Sequence, residues 1–90
     1  MMTEDQFRTV NAAEADDFVV RDWPAHHAIP DHTHPFALRA LVTQGQMWLT
    51  VDGIERELLP GDTFDLSHSK PHAERYGPQG ATYLVARRHE

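Results

Sequence analysis

From residue 18 to residue 86 the chain is a series of short runs in which apolar and polar positions alternate, cut at close intervals by glycine and proline. That rhythm predicts an all-β barrel or sandwich rather than a helical fold, because strand side chains alternate faces with a period of two. Strands are expected over 18–23, ended by Pro24, and over 26–29, stopped by Pro30 and Asp31. Further strands are expected over 36–42, ended by Gln44 and Gly45, and over 46–51. Asp52-Gly53 between two alternating runs is a strong hairpin signal, with 54–59 returning as the partner strand. Pro60-Gly61-Asp62 predicts a turn, 63–66 another strand, and 67–71 a polar loop that delivers His72. Residues 77–80 read as a further turn, 81–86 as the last strand and 87–90 as a polar tail. Only the N-terminus breaks the pattern. Thr3 and Gln6 have the spacing of a capping box, and a helix is expected over about 3–15 with Phe7, Val10 and Ala13 as its apolar stripe.

Alternation also assigns faces. Met47, Leu49 and Val51 are expected inside the barrel and Trp48 outside, where the helix, another strand or a second subunit must cover it.

Against this β background the histidines carry the chemistry. His32 and His34 are one residue apart, so on a strand they share a face. A third histidine from a separate strand, His72 after Pro71, closes a facial set of three nitrogen donors. Such a set suits a divalent transition ion (zinc, iron, nickel or copper), with coordination positions left open. The plainer alternative is a barrel whose histidines only fill the cavity. His26 and His27 are adjacent, so at most one faces inward on a strand; His68 reads as a loop residue and His89 as part of the tail.

The order His32-Thr33-His34, then Gly45, then Pro60-Gly61-Asp62-Thr63-Phe64, then Pro71-His72 resembles the two sequence motifs of the cupin family, over about residues 21–86. The resemblance implies a small double-stranded β-helix, or jelly-roll, barrel occupying one domain over residues 1–90, with the barrel over about 17–86. It also implies a metal site in which a glutamate follows the histidine pair. Here Ala37 and Leu38 stand where that glutamate is expected. Arg39 cannot replace an anionic ligand, and its parity is opposite to that of His32 and His34. Cupins of the cysteine-dioxygenase-like branch bind metal through three histidines without it. Parity offers a substitute: if His72 points inward at the start of a strand, so do Glu74 and Tyr76. Glu74 is then the candidate carboxylate, on the metal or as a general base, and Glu74 and Tyr76 are the candidate groups for moving a proton.

Composition narrows the partners. A formal net charge of −6 disfavours nucleic acid and anionic membrane surfaces. Without cysteine there is no disulfide and no thiolate metal site. The first eight residues include Glu4 and Asp5 and resemble no secretory leader, so a cytoplasmic protein is expected. At 90 residues a barrel has little margin of core, which favours a homodimer. Two functions remain in view. One is a mononuclear-metal enzyme acting on a small molecule; the other is a binding or sensing module that holds its ligand without turning it over.

Overall fold

The computed structural model describes residues 1–89, so Glu90, the end of the expected polar tail, lies outside the described residues. Seven elements follow in order: α1 Glu4–Asn11, β1 Asp17–Trp23, β2 Ala28–His32, β3 Ala37–Val51, β4 Ile54–Leu58, β5 Thr63–Leu66 and β6 His72–Arg88. Every strand pairing is antiparallel, and the architecture is the all-β cupin barrel with a short N-terminal helix. The barrel is organised around β3 and β6, which pair along most of their length. The second half of β3 carries β4 and its first half carries β5. Likewise β6 carries β2 on its first residues and β1 on its last.

Two sequence expectations change here. The run 36–42 and the run 46–51 are one strand, β3, kept continuous through register shifts between Val42 and Gln44 and between Gly45 and Met47. The expected turn at 77–80 does not reverse the chain. Instead β6 runs straight through it, with Tyr76 opposite Met47 and Ala81 opposite Gly45, so four residues of β6 face one of β3. This wide bulge bends β6 from one side of the barrel to the other. Two glycines allow it: a Cβ on Gly45 would collide with the Gly80 carbonyl, and one on Gly80 with the Trp23 carbonyl. Both also have positive φ, +80° and +68°.

The hairpin signal at Asp52-Gly53 corresponds to a turn with φ of 54° and 78°, the type I′ requirement, between β3 and β4. The second strand is displaced from 26–29 to Ala28–His32, because the chain is still turning at His26 (φ 59°). Pro30 is tolerated inside β2 because that strand pairs on one side only, with β6, and needs no second row of donors.

The helix is shorter than expected. Its capping box forms as read, Thr3 Oγ1 accepting from Gln6 N and Gln6 Oε1 from Thr3 N, but it closes at Asn11. Phe7 is its buried apolar anchor, packed on Leu41, Leu84 and Ala86 on the outer face of β3 and β6; Val10 is exposed. The second buried residue of the helix is Asn11 rather than Val10. Asn11 donates to the Phe7 carbonyl and accepts from Arg39. Trp48 is not covered by α1: the Arg75 guanidinium lies over its ring at 4.0 Å.

Inside the barrel, Leu38, Val42, Met47, Leu49, Phe64 and Val85 form one core cluster. Leu38, Phe64 and Val85 of this cluster also wall the cavity that holds His32, His34 and His72. Among the described residues no helix is long and apolar enough to cross a membrane.

Candidate metal centre

His72 is the first residue of β6 and is paired with His32, the last residue of β2. The two imidazoles therefore start side by side, with ring centroids 4.2 Å apart. His34 lies just beyond β2 rather than on it, so the two-residue strand spacing is not what aligns it. Pro35 restricts the preceding residue to extended backbone, which preserves the alternation past the end of the strand. The His34 carbonyl also accepts from Ser69 N, tying this segment to the loop that delivers His72. Its ring sits 4.9 Å from that of His32 and 5.1 Å from that of His72, and stacks on Phe36. One donor atom from each of the three histidines falls within 4.8 Å of the others.

The hydrogen bonds of these rings fix which nitrogen is available. Nδ1 of His32 donates to the Pro30 carbonyl at 2.9 Å, and Nδ1 of His72 donates to the Lys70 carbonyl at the same distance. A carbonyl can only accept, so each Nδ1 carries the proton and Nε2 of the neutral ring presents a lone pair. Both Nε2 atoms turn toward Glu74 Oε2, at 3.3 Å from His32 and 3.9 Å from His72. Lone pairs and a carboxylate oxygen that converge in this way can share a proton or surround a metal ion. Metal-bound imidazoles usually donate their other ring N–H to a carbonyl or carboxylate in the same way, which fixes the tautomer. The three imidazole nitrogens fit a divalent transition ion.

Glu74 is held from behind. Its Oε1 accepts from Tyr76 Oη and from Tyr83 Oη, each at 3.0 Å, and Tyr83 Oη accepts in turn from Trp23 Nε1 at 3.0 Å. Tyr76, Glu74 and His72 are all buried, while Ala73 is partly and Arg75 largely exposed. Burial pushes both phenols far above their ordinary pKa, with the neighbouring phenol and carboxylate adding to the shift for Tyr76 and the carboxylate for Tyr83. They remain O–H donors at any working pH. Burial also lowers the His34 pKa, the charges that His72 and His32 would carry lowering it further, which favours the neutral, ligating imidazole.

Sequence reasoning missed Tyr83 and Trp23. The bulge at 77–80 shifts the parity of β6, so even-numbered residues face inward before it and odd-numbered ones after it. The inward pair Ala81 and Val85 flanking Tyr83 was the available signal. The remaining histidines stand apart from the centre. His26 is exposed, His27 stacks on Trp23 from outside, His68 is exposed beside Ser69, and His89 meets the edge of Phe36.

The three histidines and Glu74 line a cavity of about 270 Å³, whose walls include Trp23, Phe36, Phe64 and Tyr83. A second hollow of about 250 Å³ lies elsewhere, between α1 and the barrel, lined by Arg39 and Arg88 and away from His32, His34 and His72. The first is the one with converging ligand atoms. Together, fold and cavity define a small cupin domain of the ligand-binding kind.

Comparison with known proteins places it more closely. Residues 17–86 match the model of the AraC-like ligand binding domain, and the chain belongs to that family. Among solved structures it resembles a Rhizobium leguminosarum protein of unknown function (TM-score 0.76, 14% identity, 81% of this chain and 69% of that one). It is similar to the DMSP lyase DddQ of Ruegeria pomeroyi, with 29% identity, TM-score 0.68 and coverage of 79% of this chain but 36% of the lyase. An RmlC-like cupin of Shewanella frigidimarina gives a TM-score of 0.68 at 20% identity, over 78% of this chain and 63% of that one. The chain thus spans about a third of the lyase it resembles. No curated protein matches it in sequence.

Proposed function

We propose that this chain is a metal-dependent cupin in which His32, His34 and His72 hold one divalent transition ion and Glu74 stands in for the absent motif glutamate. The observation that carries this reading is the pair of Nδ1 bonds to Pro30 and Lys70, which turn two Nε2 lone pairs onto Glu74 Oε2. A bound zinc, iron, nickel or copper would polarise a ligand oxygen or acidify water at its open positions. The protein's own groups do the rest. Glu74 Oε2, the carboxylate oxygen that faces the histidines, either completes the ligand set or, left off the ion, accepts and returns a proton as general base. Tyr76 and Tyr83 keep their protons and aim Glu74 through Oε1, so Tyr76 acts by positioning the base. The apolar walls exclude water around a small molecule.

Likeness to a DMSP lyase at 29% identity favours a catalytic role. The second reading, a module that binds or senses a small molecule without reaction, is favoured by membership of a ligand-binding family. On either reading the domain comprises the barrel with α1 packed on its outer face.

Elemental analysis of untagged protein, beside the His32→Ala/His72→Ala double variant, tests the site. Near-stoichiometric iron, zinc, nickel or copper that disappears in the variant is expected. Protein that takes up no metal even after reconstitution would leave the histidines as cavity filling.

A further inference from the structure

Of the eight lysines and arginines, Arg21 alone has no hydrogen-bond or ion-pair partner among the described residues. Arg8 pairs with Glu4, Arg39 and Arg88 with Glu14, Lys70 with Asp52, Arg75 with Glu55 and Arg87 with Asp17; Arg56 donates to the Thr63 carbonyl. In a chain with fourteen acidic side chains, an arginine left unpaired calls for a reason.

Its position supplies one. Arg21 lies on β1 directly opposite Tyr83 of β6, and residues paired across antiparallel strands share a face. Tyr83 points into the barrel, where it bonds to Glu74, so Arg21 is on the inward parity at the cavity mouth and lines the same cavity as the three histidines. Arg87 also lines that cavity, but Asp17 satisfies its guanidinium through two hydrogen bonds, and it lies over the Phe36 ring. Among the described residues, Arg21 is the cation of the pocket that has no hydrogen-bond or ion-pair partner.

We propose that the cavity takes a small organic acid, its carboxylate gripped by Arg21 and its other polar end directed at the three-histidine centre. Arg21 is exposed at the cavity rim, and its guanidinium fork matches a planar carboxylate with two parallel hydrogen bonds. At about 270 Å³ the cavity lies just under the usual range of roughly 300–1,000 Å³ for ligand pockets, so the acid is compact. Charge balance agrees. This inference rests on the metal reading for that point: Glu74 offsets only part of a divalent charge and Arg21 adds to it, leaving positive charge that an anionic ligand neutralises.

The test is calorimetric titration of the metal-loaded protein with propionate, succinate and glutarate, each beside its uncharged amide, on wild type and Arg21→Gln. Metal content is measured on the same samples. At least one of the acids is expected to bind the wild type, about ten-fold more weakly in Arg21→Gln, with the amides weak and indifferent to the substitution. Equal binding of the acids by both proteins overturns the proposal, as does failure of all three to bind the wild type at millimolar concentration. Metal content separates the two readings. Unchanged metal in Arg21→Gln with lost acid binding supports both. A wild type without metal that still binds acid through Arg21 defeats the metal centre and leaves the carboxylate site standing.

Discussion

Glu74 is the residue on which the centre turns, because it faces the histidines through one oxygen and two phenols through the other. Glu74→Gln keeps the shape and removes the charge. Metal affinity is expected to fall about ten- to a hundred-fold while the melting transition of the metal-free protein stays close to wild type; competition with a chromophoric chelator reads the first and calorimetry the second. Tyr83→Phe separates positioning from ligation. It takes one donor from Glu74 and, among the described residues, the only acceptor from Trp23 Nε1, so about 1 kcal/mol of stability should be lost, with metal affinity reduced by about ten-fold. A denaturant titration showing no change would mean that solvent serves both groups equally well. The inward direction of His72, Glu74 and Tyr76 was legible from a period of two, since the register shift beside the start of β6 falls in β2 and the pairing of Ala73 to Tyr76 with β3 is regular. The anchoring of Glu74 by Tyr83 and Trp23 was not. It needs contacts across nine and sixty residues of sequence, and across a bulge that reverses the alternation between them.

At the level of elements, the strongest local signals corresponded to real features: the capping box, the Asp52-Gly53 hairpin and the Pro60-Gly61-Asp62 turn, where Asp62 Oδ2 accepts from Leu59 N. Gly45 and the run 77–80 misled because glycine marks a bulge as readily as a turn, and only the partner strand decides which. The distinction has a measurable consequence. Gly53 and Gly80 both have positive φ, but a Cβ on Gly53 meets nothing, whereas one on Gly80 strikes the Trp23 backbone. Gly53→Ala is therefore expected to cost only the left-handed strain, about 1–2 kcal/mol by denaturant titration. Gly80→Ala carries the same strain plus a backbone clash at the corner that holds β1 against β6, so its loss should be clearly larger. Equal losses would show that the corner yields without penalty, and that the bulge is not what fixes the course of β6.

For the whole molecule, the candidate ion would join segments that little else connects. β2 pairs with β6 alone, through an irregular register, and His34 lies on the chain that leaves it. Three ligands would bind this edge to the start of β6, so removing metal should loosen the mouth of the barrel and lower overall stability. A ligand at about a hundred times its Kd adds about 2.7 kcal/mol, which in a domain of this size corresponds to a rise of roughly 10 °C or more in Tm. Chelation is expected to remove that increment from the wild type and to leave the His32→Ala/His72→Ala variant unaltered. Acid should act in the same direction. Burial holds the His34 pKa below its ordinary 6.5, so the folded protein binds that proton less readily than the unfolded chain. Stability from this group is thus full above pH 6.5 and is lost as pH falls toward the depressed folded value. Metal-loaded protein should show a steeper decline over the same window, because protons compete with the ion for all three imidazoles. Thermal melts of loaded and chelated protein between neutral pH and pH 5 would test this on one plot. Convergence of the two curves on the acid side is the expected result, and parallel curves would mean that the ion, if bound, is held by something other than these histidines.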